Sequence, residues 1–305
     1  MKILLTGASG LLGRSLMVHL APLVGKDGVL IGTARSRIKP PLRPLDLTDE
    51  VAVREAFSEW APDVVVHSAA ERRPDVVDGD PSAAERLNVG ATAFLAGLAA
   101  AREARFIYIS TDYVFDGTTP PYRTEDATCP LNAYGRMKLA GECAVRDAYA
   151  AADPKKGVES FTIIRIPILY GHVETLSESP VTELAAKLLE GKPFKAENWA
   201  MRYPAHAEDV SRAIALLVRS DPVPAGIFHF AGAEQITKYG MALVIAKELG
   251  LDSALVQSDP NPPAGAPRPK DCRLDPSRLE TLGFKPRITF ADGIHEALAP
   301  SKDRI

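Results

Sequence analysis

TGASGLLG, residues 6–13, follows a short apolar run that opens the chain and leads into a segment with helical periodicity. Its glycines fall at Gly7, Gly10 and Gly13. A side chain at Gly7 or Gly10 would hold a pyrophosphate away from the backbone N–H groups and from the positive end of the following helix. Gly13 lets that helix pack closely on a sheet. The spacing also fits a tight strand-to-helix turn that binds nothing. Its place directly after the first strand points to a dinucleotide.

Outward from that turn, runs rich in β-branched residues recur at 3–6, 29–33, 64–68, 106–110 and 162–166. Helical patterns separate them at 11–20, 50–60, 83–101 and 133–149. Alternating buried strands and helices predict an α/β fold, a Rossmann-type doubly wound parallel sheet covered on both faces. After Gly171 the alternation breaks. A helix is expected over 181–190, an irregular stretch over 192–205, a helix over 207–219, a strand over 226–230 and a helix over 239–249. DPNPPAGAPRP, 259–269, reads as an ordered surface loop, because motif-like sequence resumes directly after it. The expected organisation is a dinucleotide domain over 1–170, with 207–235 returning to it, and a smaller C-terminal substrate-type lobe over 171–305.

With 36 basic against 39 acidic side chains among 305 residues, the formal charge of −3 argues against nucleic acid or an anionic membrane as the main partner. Cys129, Cys143 and Cys272 lack metal-ligand spacing and read as reduced thiols, and the scattered acids show no metal pattern. The first apolar run is too short for a signal-peptide core, and no stretch approaches the ~20 apolar residues that span a bilayer. A soluble, cytoplasmic protein with no metal is expected.

The end of the second strand selects the cofactor. An NAD enzyme usually places an acid there for the ribose 2′-hydroxyl. Here the residues are Ala34, Arg35, Ser36 and Arg37, and Arg35 or Arg37 could fork onto a 2′-phosphate, so NADP is favoured. Asp46, beside Leu47, could accept from an adenine amino group, while Asp46 or Thr48 could also cap the next helix. Ser68, Ala69 and Ala70 end the fourth strand with small residues that admit a cofactor, although helix packing explains the alanines equally.

Tyr134 and Lys138 stand four apart behind Pro130 and Asn132, a good helix start, and so share a face. An ammonium near a phenol lowers its pKa, and Lys138 could also hold a nicotinamide ribose. Tyr134 then becomes an acid for a carbonyl oxygen. STDYVFDG, 110–117, adds Thr111 at the end of the fifth strand, where α/β sheets place ligands. His67, His206 and His229 read as satisfied core histidines.

These motifs resemble the extended short-chain dehydrogenases/reductases. Within them, STDYVFDG, PLNAYGRMKLAGE (130–142) and RPKDCRLDPSRLETLG (268–283) resemble the dTDP-4-dehydrorhamnose reductase group. HSAAERRPDVV (67–77), RIPILYGHVETLSESPVTEL (165–184) and TKYGMA (237–242) are more similar to the regulatory beta subunits of methionine adenosyltransferase. The resemblance implies NADP contacts at Ser9, Gly10, Leu11, Leu12, Ala34, Arg35, Ser36, Asp46, Leu47, Ser68, Arg72, Tyr134 and Leu169. It also implies a methionine adenosyltransferase catalytic subunit as partner and a role in S-adenosylmethionine biosynthesis. The sequence stops soon after Pro300, where the family's tail is longer, and the expected partner contact is weakened accordingly. The Thr111, Tyr134 and Lys138 set keeps a second expectation open: an NADPH-dependent reductase of a nucleotide-linked 4-keto sugar.

Overall fold

The computed structural model describes residues 1–152, 161–222 and 224–302. Among the described residues eleven strands are formed: β1 (Lys2–Thr6), β2 (Val29–Ala34), β3 (Arg43–Pro44), β4 (Val64–His67), β5 (Arg105–Thr111), β6 (Phe161–Ile166), β7 (Leu169–Tyr170), β8 (Phe194–Glu197), β9 (Ala205–His206), β10 (Gly226–His229) and β11 (Val256–Asp259). Seven of them make one parallel sheet in the order β10-β6-β5-β4-β1-β2-β3. The expected doubly wound α/β sheet is therefore present. From β1 the chain proceeds to β2 on one side and later to β4 on the other, so the glycine turn lies at the topological switch point.

The two-residue period of the strands sorts the core into two layers. Ile3, Leu5, Val64, Val66, Ile107 and Ile109 pack under the helices Leu11–Leu20 and Ala207–Arg219. Leu4, Val65, Phe106, Tyr108 and Ile163 face the helices Glu50–Trp60, Ala91–Ala101 and Ala133–Ala152. A separate core joins the helices Thr182–Leu189, Lys238–Leu249 and Phe290–Lys302, through Leu184, Leu188, Met241, Ile245, Phe290 and Ile294. Strand β10 pairs with β6, which brings the 226–229 segment back to the main sheet.

Three expectations need correction. The stretch 192–205 is not irregular throughout, because β8 pairs with β11 and β9 with β7. Nor is 83–101 one helix. A turn of π-helix, Arg86–Gly90, precedes the helix Ala91–Ala101. Inside that turn the Asn88 amide accepts from the Glu71 N–H at 2.9 Å and donates to the Glu71 carbonyl at 2.9 Å, fixing the loop after β4. The third concerns the cap of Glu50–Trp60. Asp49 supplies it, accepting from Val51 and Ala52 N–H, and neither Asp46 nor Thr48 does.

Candidate functional site

A cavity of about 680 Å³ opens at the C-terminal ends of β1, β2, β4 and β5. Gly7, residues 9–13 and 34–37, Asp46, Leu47, Ser68, Ala69, Arg72, Thr111, Tyr134, Lys138 and Leu169 all line it, so the residues singled out from the sequence share one space. The cavity also takes in Asp112, Tyr113, Glu178, Glu183, Arg202, Lys238 and Arg268. Asp112 and Tyr113 lie inside STDYVFDG, directly after Thr111, and adjacency was their available signal. Arg202 falls where the sequence has no motif.

At the glycine turn, Gly7 has φ +71°, and a Cβ there would stand 2.8 Å from the Ala69 amide nitrogen. A Cβ on Gly13 would come within 2.1 Å of the Gly7 carbonyl oxygen. The helix Leu11–Leu20 has Gly10 at its N-cap with no side-chain cap, and its first residues, Leu11 to Gly13, line the cavity. Unpaired first-turn amides and the positive helix end make that wall suited to an anion.

The basic residues after β2 are not free. Arg35 Nε lies 3.2 Å from Asp46 Oδ2. Asp46 also accepts from the Thr48 hydroxyl at 2.7 Å and its amide at 2.9 Å, and these bonds, with Arg35, hold its carboxyl below the ordinary value. Arg37 bonds Glu178 and lies 3.4 Å from Glu174, and Lys39 reaches Glu174 at 3.0 Å. The adjacent arginines after β4 differ from each other. Arg73 is clamped by Glu71 through Nε and Nη2, each at 3.0 Å, while Arg72 donates across the cavity to the Glu178 carbonyl.

Tyr134 and Lys138 share the first turns of the helix Ala133–Ala152, whose start is capped by Asn132 Oδ1 accepting from Gly135 N–H at 2.8 Å. A Cβ on Gly135 would meet the Tyr113 carbonyl oxygen at 2.3 Å, so glycine there lets the helix approach the end of β5. The expected lowering of the Tyr134 phenol does not occur. Burial pushes it well above its ordinary value, with the Thr111 side chain pulling the other way. The Lys138 ammonium sits 3.9 Å over the Tyr108 ring, and burial pushes it down to about 7, opposed by Glu142. The Thr111 hydroxyl donates to Asp112 Oδ1 at 3.1 Å and accepts from Tyr113 N–H at 3.2 Å. Burial raises Asp112 to about 7, against the pull of Arg202.

Beyond Tyr134 the wall turns basic. Arg202, 4% exposed, donates to the Pro269 carbonyl at 3.1 Å, but its Nη2 has no hydrogen-bond partner. Burial, then Arg202 and Arg268, lower the Lys238 ammonium, with Glu197 and Glu183 pulling the other way. Arg268 pairs with Asp75 at 2.8 Å, which ties the 259–269 loop to the helix Pro74–Gly79.

The histidines lie outside this lining. His67 is bonded to Thr6 at 2.7 Å and Thr92 at 3.0 Å, and His229 to the Tyr122 carbonyl and Arg165. His206 departs from the expectation. Its Nδ1 caps Glu208 N–H, but its Nε2 is buried without a partner. Among the described residues no helix is long and apolar enough to cross a membrane.

Residues 1–302 match the family model described as the RmlD substrate binding domain, and the chain belongs to that family. It is 43% identical over 98% of its length to "Methionine adenosyltransferase 2 subunit beta" of Mus musculus, covering 87% of that protein. It is 34% identical to a dTDP-4-keto-6-deoxy-D-glucose reductase of Streptomyces niveus, over 85% of this chain and 82% of the relative. Its fold superposes on a dTDP-4-dehydrorhamnose reductase of Clostridium acetobutylicum with a TM-score of 0.83 at 28% identity, covering 99% of this chain and 100% of that one.

Proposed function

We propose that this member of the RmlD substrate binding domain family is an NADP-binding regulatory subunit of a methionine adenosyltransferase, acting on S-adenosylmethionine synthesis by docking onto the catalytic subunit. The observation that carries the reading is the 43% identity to a beta subunit, sustained over 98% of the chain. The cavity supports the cofactor. Uncapped helix amides face it beside a glycine turn that no side chain could share, and Arg35 and Arg37 line it after β2 with guanidinium groups suited to a 2′-phosphate. Bound NADPH supplies a hydride donor. Residues 9–13, 34–37 and Arg72 would hold it, and in a regulatory subunit that binding would favour one arrangement of these walls.

The test is calorimetry with NADP and NAD, followed by co-elution with a methionine adenosyltransferase catalytic subunit. Tighter binding of NADP and a stable complex are the expected results. Failure to co-elute at micromolar concentrations removes the regulatory reading.

A second reading, a reductase of a nucleotide-linked 4-keto sugar, is favoured by the basic wall of Arg202, Lys238 and Arg268 beyond Tyr134. Guanidinium and ammonium groups there suit a diphosphate. Tyr134, held protonated by burial, has a proton to give to a carbonyl oxygen. NADPH oxidation with dTDP-4-dehydrorhamnose, reduced about 10²–10⁴-fold by Tyr134→Phe, would promote this reading over the first.

A further inference from the structure

We infer that Glu178 is a specificity-determining residue of the dinucleotide site. Its carboxylate occupies Arg37 in place of a 2′-phosphate and so limits the preference for NADP over NAD. The inference rests on the dinucleotide reading proposed above. Residues 171–180 form a strap between β7 and the helix Thr182–Leu189. The strap is pinned at its far end, where Ser179 Oγ donates to the Leu169 carbonyl at 2.7 Å and Thr182 Oγ1 donates to the Leu176 carbonyl at 2.7 Å. Near its middle the Glu174 N–H donates to Glu178 Oε2 at 2.9 Å.

Across the cavity mouth Arg14, in the helix after the glycine turn, grips this strap. It donates to both Glu178 carboxylate oxygens, at 3.1 and 2.7 Å, to the His172 carbonyl at 3.1 Å and to the Ser9 carbonyl at 2.9 Å. Glu178 is only 10% exposed, whereas Arg37, which it also holds, is 45% exposed. Arg37 has φ 53°, a left-handed conformation that persists in a non-glycine residue where its surroundings fix it.

Each cation after β2 therefore already carries a carboxylate: Arg35 with Asp46, Arg37 with Glu178, Lys39 with Glu174. A 2′-phosphate must displace Glu178 from Arg37 or share the guanidinium with it, and the two anions repel. NAD presents a neutral hydroxyl at that point and meets no such competition. Arg14 keeps two carbonyl acceptors if the Glu178 charge is removed, so the strap's anchor survives the substitution.

The experiment is calorimetric titration of the full chain with NADP and with NAD. Glu178→Gln should tighten NADP about tenfold and change NAD by less than about twofold, and the gain should vanish when Arg37→Ala is added. The gain should also shrink in about 1 M salt. Folded Glu178→Gln with unchanged or weaker NADP binding, or with NAD tightening in parallel, overturns the inference. Should that variant fail to fold, the more exposed Glu174→Gln carries the same expectation at about threefold, and no gain there overturns it equally. If wild type binds neither dinucleotide, the cofactor reading falls and this inference with it. If wild type binds NADP and no variant differs, only this inference falls.

Discussion

Two clusters of ion pairs flank the cavity, and water separates their behaviour. At the mouth, Arg14, Arg37 and Lys39 share Glu174 and Glu178, with side chains up to 74% exposed. Beneath the Tyr134 end, Glu142 and Arg165 are 0% and 3% exposed and joined through Nε–Oε1 at 2.9 Å and Nη2–Oε2 at 2.7 Å. Ser110 donates its hydroxyl to Glu142. Arg165 Nη1 lies 3.2 Å from His229 Nε2, and His229 Nδ1 lies 3.1 Å from the Tyr122 carbonyl. Burial, then Arg165, push His229 down to about 3, so it is neutral, accepting at Nε2 and donating at Nδ1. In the dry cluster both carboxylate oxygens are taken and nothing can exchange. It clamps the Tyr134 helix to β5 and β6. In the wet cluster Arg37 and Glu178 line the cavity, and water reaches the Arg37 and Lys39 side chains. The same residue types serve as a clamp in one place and as a latch in the other, according to solvation.

The comparison breaks first at Glu142. Glu142→Leu leaves Arg165 buried and unpaired and should cost about 3–5 kcal/mol in urea unfolding. Adding Arg165→Met should restore most of that, because two matched apolar side chains have no charge to desolvate. A single-variant cost under about 1 kcal/mol would mean that water reaches the pair.

Asp112 gives an intermediate effect with a defined sign. Its folded value of about 7 lies above the ordinary 3.8, so between those values the folded state binds more protons than the unfolded one. Its contribution is therefore largest at low pH and is lost as pH rises from about 4 to about 7. Asp112→Asn lacks that loss. Its stability relative to wild type should improve by about 2–4 kcal/mol between pH 4.5 and 7.5, measured by denaturant midpoints at each pH. A gap that stays constant with pH would show that the carboxyl is solvated.

The smallest effect belongs to the latch. Lys39→Ala should cost about 0–1 kcal/mol, and the cost should disappear in about 0.5 M salt. A larger, salt-insensitive loss would erase the distinction between the clusters.

What could be read from the sequence was what neighbouring residues decide together. Runs such as Val64, Val65 and Val66 are strands because only a buried parallel sheet uses them, and the glycine turn is contiguous. Tyr134 and Lys138 share a face by helical periodicity. The same periodicity does not tell which ring the lysine meets, and it meets Tyr108. Strands β8 and β11 carry no signal in the sequence because each has four residues and only one of them buried, leaving no apolar alternation. Charge is the least local of these properties. The segment after β2 holds no acid, and that is true of the local sequence. The fold supplies Asp46 to Arg35, and it brings Glu178 to Arg37 across 141 residues. A cofactor preference argued from one strand end ignores carboxylates that only tertiary structure delivers.

The π-helical turn Arg86–Gly90 has a consequence for how this chain tolerates change. A π-turn holds one residue more than the α-helical turn that it replaces, and is usually retained where a site needs it. Removing one residue there would give a smoother helix while rotating Asn88 by about 100° relative to the Ala91–Ala101 segment. Glu71 would lose both of its amide contacts, and the loop bearing Arg72 and Arg73 would come loose from the cavity wall. The extra residue works as a shim. It makes the helix locally worse so that a loop 17 positions away is held at the right height.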